Sequence, residues 1–132
     1  MSKKPFVDSG CVSVERRPEA FRPLSGSEGR ILEVLLAADF PGNTALKMQA
    51  SRAIVRQIDS DGSLEFSVTG GLPAEVVRRI PVEAEADDSD GATIHLLLHV
   101  VNGLMNELEL YRDGEGTVRR MPAAEDLRIL VL

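Results

Sequence analysis

From Ala53 onward the chain is broken at short intervals by turn-forming pairs, and that spacing limits its folds more than any other feature. Asp61-Gly62, Gly70-Gly71, Asp90-Gly91 and Asn102-Gly103 each separate two apolar stretches. Asp-Gly and Asn-Gly tolerate the left-handed backbone that tight hairpins require. Between the turns the side chains alternate. Leu64, Phe66 and Val68 interleave with Glu65, Ser67 and Thr69; Val82, Ala84 and Ala86 with Glu83, Glu85 and Asp87; Leu108 and Leu110 with Glu107, Glu109 and Tyr111. A period of two marks a strand with one face on a core and the other in water. Residues 92–101 are more apolar and read as a central strand, with further strands at 53–58 and 128–132. Ile129-Leu130-Val131-Leu132 is apolar on both faces. It reads as an interior strand, with an edge strand paired to another copy of the chain as the second reading.

Before residue 53 the spacing is helical. Ser25 and Glu28 fit a capping box, and Ile31, Leu32, Leu35 and Leu36 follow on one face. Phe40 closes the run and Pro41-Gly42 stops it. Asn43 reads as the cap of a second helix over 44–50, anchored by Leu46 and Met48. Pro73 through Arg79, with Pro first, Glu75 early and Arg78-Arg79 late, reads as one or two helical turns. A run of helices followed by a run of strands predicts an α+β fold. The N-terminal helices are expected to pack on one face of a mostly antiparallel sheet of about five to six strands. Residues 1–23 contain Pro5, Pro18 and Pro23 and little periodicity. They are expected to form a partly mobile basic leader, with a short edge strand at Cys11–Glu15, ahead of a single domain over 24–132.

At 132 residues the chain can bury a core without metals or disulfides. Its net charge of -6 is uneven. Residues 1–23 carry five basic and three acidic side chains, a net of +2, and residues 24–132 carry ten and eighteen, a net of -8. An acidic body repels phosphate, which argues against a nucleic-acid partner and suits either plain solubility or a basic protein partner. The longest apolar stretch, Leu96 to Val101 with His99 inside it, is far short of the ~20 residues of a membrane helix. The basic start is followed by no apolar signal region, so no membrane role and a cytoplasmic location are expected. Cys11 stands alone, so neither an internal disulfide nor a cysteine zinc cluster can form.

Three patterns invite a chemical reading. His95 and His99 have the spacing of two zinc ligands on a helix, but their neighbours favour a strand, where four residues span ~13 Å. No metal site is expected there. The tetrapeptide Asp-Ser-Asp-Gly occurs at 59–62 and again at 88–91. Six residues after each glycine stand Val68 and Leu97, where a calcium loop needs a closing glutamate. Both tetrapeptides therefore read as hairpin turns. The third pattern is the wet faces of the strands. Glu83 and Glu85 share one face, as do Glu107 and Glu109, and two successive hairpins would set them on either side of His95 and His99. These six residues form the candidate binding surface, with a solvated face as the plainer reading. No nucleophile elbow, phosphate loop or dinucleotide fingerprint occurs, so neither a catalytic residue nor a cofactor is assigned.

Arg22-Pro23-Leu24, Phe40-Pro41-Gly42 after a leucine-rich helix, Pro81-Val82-Glu83-Ala84-Glu85 before an Asp-Gly turn, and Asn106-Glu107-Leu108-Glu109-Leu110-Tyr111 occur in that order. Over roughly residues 22–122 this order resembles a group of small bacterial proteins of unknown function. Members often carry cysteines in the first hairpin, where this chain has Ser60-Asp61-Gly62, so a role for those cysteines would not transfer. The resemblance implies no activity and supplies no functional residues. Some relatives look like the small acidic immunity proteins of bacterial toxin systems, a likeness of class only. The expectation is a non-enzymatic binding module, monomeric or homodimeric, using the acidic face. The alternative is a small hydrolase or ligand-binding enzyme using His95 and His99 with a nearby glutamate.

Overall fold

The computed structural model describes residues 20–131. The expected strand at Cys11–Glu15 lies outside the described residues. The protein is α+β: strand β1 (Arg22–Pro23), helices α1 (Gly26–Ala37) and α2 (Asn43–Ala50), then strands β2 (Ala53–Gln57), β3 (Leu64–Val68), β4 (Val82–Asp87), β5 (Thr93–Val101), β6 (Leu104–Arg112) and β7 (Arg128–Val131). A short 3-10 helix, Ala124–Asp126, precedes β7. The strands form one open antiparallel sheet in the order β1-β2-β3-β6-β5-β4-β7. Seven strands exceed the expected five to six because β1, two residues at the end of the leader, is too short to show a period.

α1 starts as its sequence dictates. The Ser25 hydroxyl accepts the Glu28 N–H, and the Glu28 carboxylate accepts the Ser25 N–H. Glu28 also takes both Nη groups of Arg22 at 2.8 and 2.9 Å, which ties β1 to α1. The Arg22 hydrogen bonds hold the Glu28 carboxyl below the usual carboxylate range. At α2 the sequence expectation needs correction. The cap position belongs to Gly42 at φ 94°, not to Asn43. Asn43 reaches back instead, donating to the carbonyls of Leu36 and Ala38 and so closing the end of α1. Leu46 is buried as expected, but Met48 is 59% exposed. The second anchor is Gln49, which lies three residues from Leu46 and so shares its helix face.

One hydrophobic cluster joins Ile31, Leu32, Leu35, Leu36 and Leu46 of the helices to alternate residues of five strands, among them Val55, Phe66, Val82, Leu96 and Leu110. The burial pattern of β5 alternates without a break. In β6 it slips once, because Val100 faces Met105 while His99 faces Glu107, leaving Asn106 as an extra bulged residue. The bulge keeps Met105, Leu108 and Leu110 all in the core. At the hairpin tip Asn102 and Gly103 both take positive φ, 55° and 79°. β5 lies between β4 and β6, as two successive hairpins require, and β6 occupies the middle of the sheet.

Two further expectations fail. Residues 73–79 are not helical. After β3 the chain must pass β6 and β5 to reach β4, and it crosses at the β5–β6 hairpin tip, where its backbone groups bond outside the segment. The Ala74 N–H donates to Gly103 O at 2.7 Å, and the Arg79 carbonyl accepts from the Val100 N–H at 2.8 Å. The contact is so close that a Cβ on Gly103 would lie 2.6 Å from Pro73 Cβ. The last strand, β7, is not interior: among the described residues it pairs with β4 alone, at the sheet edge. Alternation reveals which residues share a face, not where a strand stands in the order.

Gln49 locks this crossover. Its Nε2 donates to Leu72 O and Gly103 O at 3.0 and 2.8 Å, and its Oε1 accepts the Met105 N–H at 2.9 Å. The side chain is fully buried with every polar atom satisfied. Gln49→Leu keeps the volume, removes three hydrogen bonds and leaves the buried Met105 N–H without its acceptor, while Gly103 O keeps the Ala74 N–H. Chemical denaturation should show a loss of about 3 kcal/mol. A loss under about 1 kcal/mol would mean that the crossover does not depend on this side chain.

Candidate functional site

The residues that alternate out of the core on β4, β5 and β6 line up in rows across the strands. Glu85, His95 and Tyr111 form one row, Glu83, Leu97 and Glu109 the next, and His99 and Glu107 the third. The third row continues through Glu65 of β3 to Arg56 of β2. The hairpins therefore bring all six expected residues onto one face, but they do not merge the two histidines into one centre.

Each histidine has its own carboxylate. His99 Nδ1 accepts from Arg79 Nε at 2.9 Å. Its proton must therefore sit on Nε2, which donates to Glu109 Oε1 at 2.8 Å. The His99 and Glu109 side chains are each only 13% exposed, so this part of the outer face is drier than alternation alone suggests. His95 Nε2 lies 2.9 Å from Asp113 Oδ1, and its ring stacks on Tyr111 with centroids 4.6 Å apart. Glu85 approaches His95 Nδ1 only to 3.9 Å, beyond hydrogen-bond range. Partial burial, with the charges of Glu109, Asp113, Glu83 and Glu85 around it, pushes the Tyr111 hydroxyl pKa up. Glu65 and Glu107 stand directly opposite, a repulsive pairing. Arg56 offsets it by pairing with Glu65 at 2.8 Å while its guanidinium lies 4.6 Å from the Phe21 ring centroid. Among the described residues, no group of three or more His, Cys, Asp or Glu side chains is placed to hold a metal ion.

Sequence reasoning missed Arg79, Asp113 and the stacking of Tyr111. Arg79 arrives from the crossover and Asp113 from beyond the end of β6, so no local pattern joins them to the histidines. It also missed the role of the repeated tetrapeptide. The two Asp-Ser-Asp-Gly turns flank the end of β6 and hold the loop that leaves it. Asp61 Oδ1 accepts the Val118 N–H at 2.8 Å. Asp88 accepts the N–H groups of Ser89, Arg119 and Arg120 and an Nη of Arg112. The Asp88 side chain is fully buried and that of Arg112 is 5% exposed. Burial alone would raise the Asp88 pKa, but the three backbone N–H groups and the Arg112 charge outweigh it and hold it low. Asp90 binds both Nη groups of Arg112 and accepts the Ala92 N–H. The repeat was legible as a turn signal. Its second use, as a pair of anchors, becomes visible only when both turns reach the same loop.

A cleft of about 510 Å³ lies away from these rows, between α1 and α2, lined by Leu24, Leu32, Leu36, Lys47 and Ala50 among others. No helix among the described residues is long and apolar enough to cross a membrane.

A family model described as a domain of unknown function, DUF6984, matches residues 21–122. The chain belongs to this family. The DUF6984 domain takes in β1 to β6, both helices, both Asp-Ser-Asp-Gly turns and the loop they hold, while the 3-10 helix and β7 lie beyond the matched stretch. No curated protein and no solved structure matches the chain.

The Arg112 hydrogen bonds, helped by the Ala92 N–H, lower the Asp90 pKa from 3.8 to about 2. A lowered carboxylate pKa stabilises the fold fully above the unfolded value and loses that effect as pH falls toward the folded one. The stability gap between the native protein and Asp90→Asn should therefore be constant above about pH 5 and shrink between about pH 4 and pH 2. Urea titrations across that range check it, and a gap independent of pH would contradict the pairing.

Proposed function

We propose that this DUF6984 protein is a non-enzymatic interaction module that binds a basic protein partner through the outer face of β4, β5 and β6. The observation that carries this reading is the row arrangement of Glu83, Glu85, Glu107 and Glu109 around His95 and His99 on the side of the strands opposite the core. In this reading α1 and α2 pack on the other face and leave the outer one open to a partner. Glu83 faces Leu97 and Leu130 across the strands, so a carboxylate stands beside apolar surface there. Such a mixture suits a protein surface better than a small ion. The small acidic immunity proteins of toxin systems are a functional class of this kind.

The competing enzymatic reading would use the His99–Glu109 or His95–Asp113 pair as acid and base. Both nitrogens of His99 are already engaged, and the cleft between α1 and α2 lies elsewhere. These two observations favour the interaction module.

Affinity capture from the native organism with the intact protein as bait should recover a basic protein. The double variant Glu83→Lys and Glu85→Lys should weaken its binding by about tenfold or more, with stronger salt dependence lost in parallel. Recovery of a partner whose affinity ignores this charge reversal would contradict the assigned face.

A further inference from the structure

His99 joins the crossover to the outer face. Arg79 is fixed to β5 twice. Its carbonyl accepts the Val100 N–H at 2.8 Å, and its Nε donates to Nδ1 of the adjoining His99 at 2.9 Å. On the other side of the ring, Nε2 lies 2.8 Å from Glu109 Oε1. A guanidinium, an imidazole and a carboxylate therefore stand in line. The charged groups around the ring come from three elements. Arg79 belongs to the crossover, and Glu109 and Glu107 belong to β6. On β4, Glu83 stands opposite Leu97, one row away. On β5 itself the outward neighbours of His99 are Leu97 and Val101, which carry no charge. Arg56 is engaged by Glu65 farther along the row.

A donor cannot face a donor. Nδ1 accepts from Arg79 only while it carries no proton. Imidazole is the side chain whose charge ordinarily changes between about pH 5 and pH 8. In His99 the second proton must go to Nδ1, because Nε2 already carries the first. The two sides of the ring then respond in opposite ways. Toward Glu109 the contact becomes a charge-assisted hydrogen bond and tightens. Toward Arg79 the lone pair is gone and two cations face each other. We propose that His99 is a proton-operated latch. Without the second proton it holds the Arg79 side chain against the outer face; with it, the ring keeps Glu109 and releases Arg79. The Arg79 backbone stays where it is, since its carbonyl bond to Val100 does not involve the ring and Gln49 holds the crossover elsewhere. Arg79 is exposed, so the released guanidinium passes directly into water. His95 works differently. Asp113 lies on its Nε2 and Glu85 stands 3.9 Å from its Nδ1, so a second proton there draws its neighbours in. The consequence for function rests on the reading that the outer face binds a basic partner. Protonation of His99 sets a positive charge beside Glu107 and Glu109 and frees a second one, so attraction for such a partner weakens as pH falls.

Nuclear magnetic resonance of the isotope-labelled intact protein tests the latch with no partner present, so its failure and that of the binding reading are distinguishable. His99→Gln tells the two ring signals apart. At about pH 8 the His99 ring should be the Nε2–H tautomer, with nuclear Overhauser contacts to the Arg79 side chain. On lowering to about pH 5 the ring should gain its Nδ1 proton, and the Arg79 contacts should be lost along the same curve. The titration of His95 should leave those contacts unchanged. Arg79 contacts that survive double protonation of His99, or a ring that is still singly protonated at about pH 5, would overturn the proposal. So would the Nδ1–H tautomer at about pH 8, which leaves Arg79 nothing to donate to.

Discussion

One buried amide, that of Gln49, ties α2 to the crossover and to the β5–β6 hairpin. β3 and β4 are consecutive in sequence but not adjacent in the sheet, because the β5–β6 hairpin stands between them. The chain must therefore cross the hairpin tip, where Leu72 O, Gly103 O and the buried Met105 N–H find partners outside the ladder. Gln49 supplies what is missing: one side chain accepts from Met105 and donates to Leu72 and Gly103, joining α2, the crossover and the hairpin. Gly103 lets the crossover come close enough for this to happen, since a side chain there would strike Pro73.

The opposite end of the sheet has the same problem and a different solution. The chain leaving β6 must reach β7 on the far side of β4, and it does so under two carboxylates. Asp61 and Asp88 take three successive backbone N–H groups, those of Val118, Arg119 and Arg120. Asp88 bears burial because its charge is met by those N–H groups and by Arg112. With both ends of the β4–β5–β6 ladder held in this way, the outer face between them is presented on a fixed frame. On this face His99 pairs with Glu109 and His95 with Asp113.

Much of this was legible in the sequence wherever a period or a turn carried the information. The Ser25–Glu28 capping box, the alternation of β3, β4 and β6, and the Asn102-Gly103 tip all follow from local chemistry. What escaped were features that depend on residues far apart. Gln49 looks like an ordinary polar helix residue until Gly103 and Met105 are beside it, and Met48 reads as an anchor beside Leu46 only because it is apolar. Residues 73–79 carry helix-compatible signals, yet the Ala74 N–H and the Arg79 carbonyl bond to the hairpin. The six residues of the candidate site share a face, as alternation implies. Their partition into two separate histidine–carboxylate pairs depends on Arg79 and Asp113, which no spacing connects to them. The apolar character of β7 is visible too, but it favours an interior place over the edge, which stands only as the second reading.

The central claim is that contacts outside the regular ladder hold both ends of the sheet and so fix the outer face. Amide hydrogen exchange tests it most directly. The account predicts that the amides of Met105, Val118, Arg119 and Arg120, each donated to a side chain, exchange nearly as slowly as those in the middle of β5. Rapid exchange at Val118–Arg120 or Met105 while β5 stays protected would show that these ends are loose, and would contradict it.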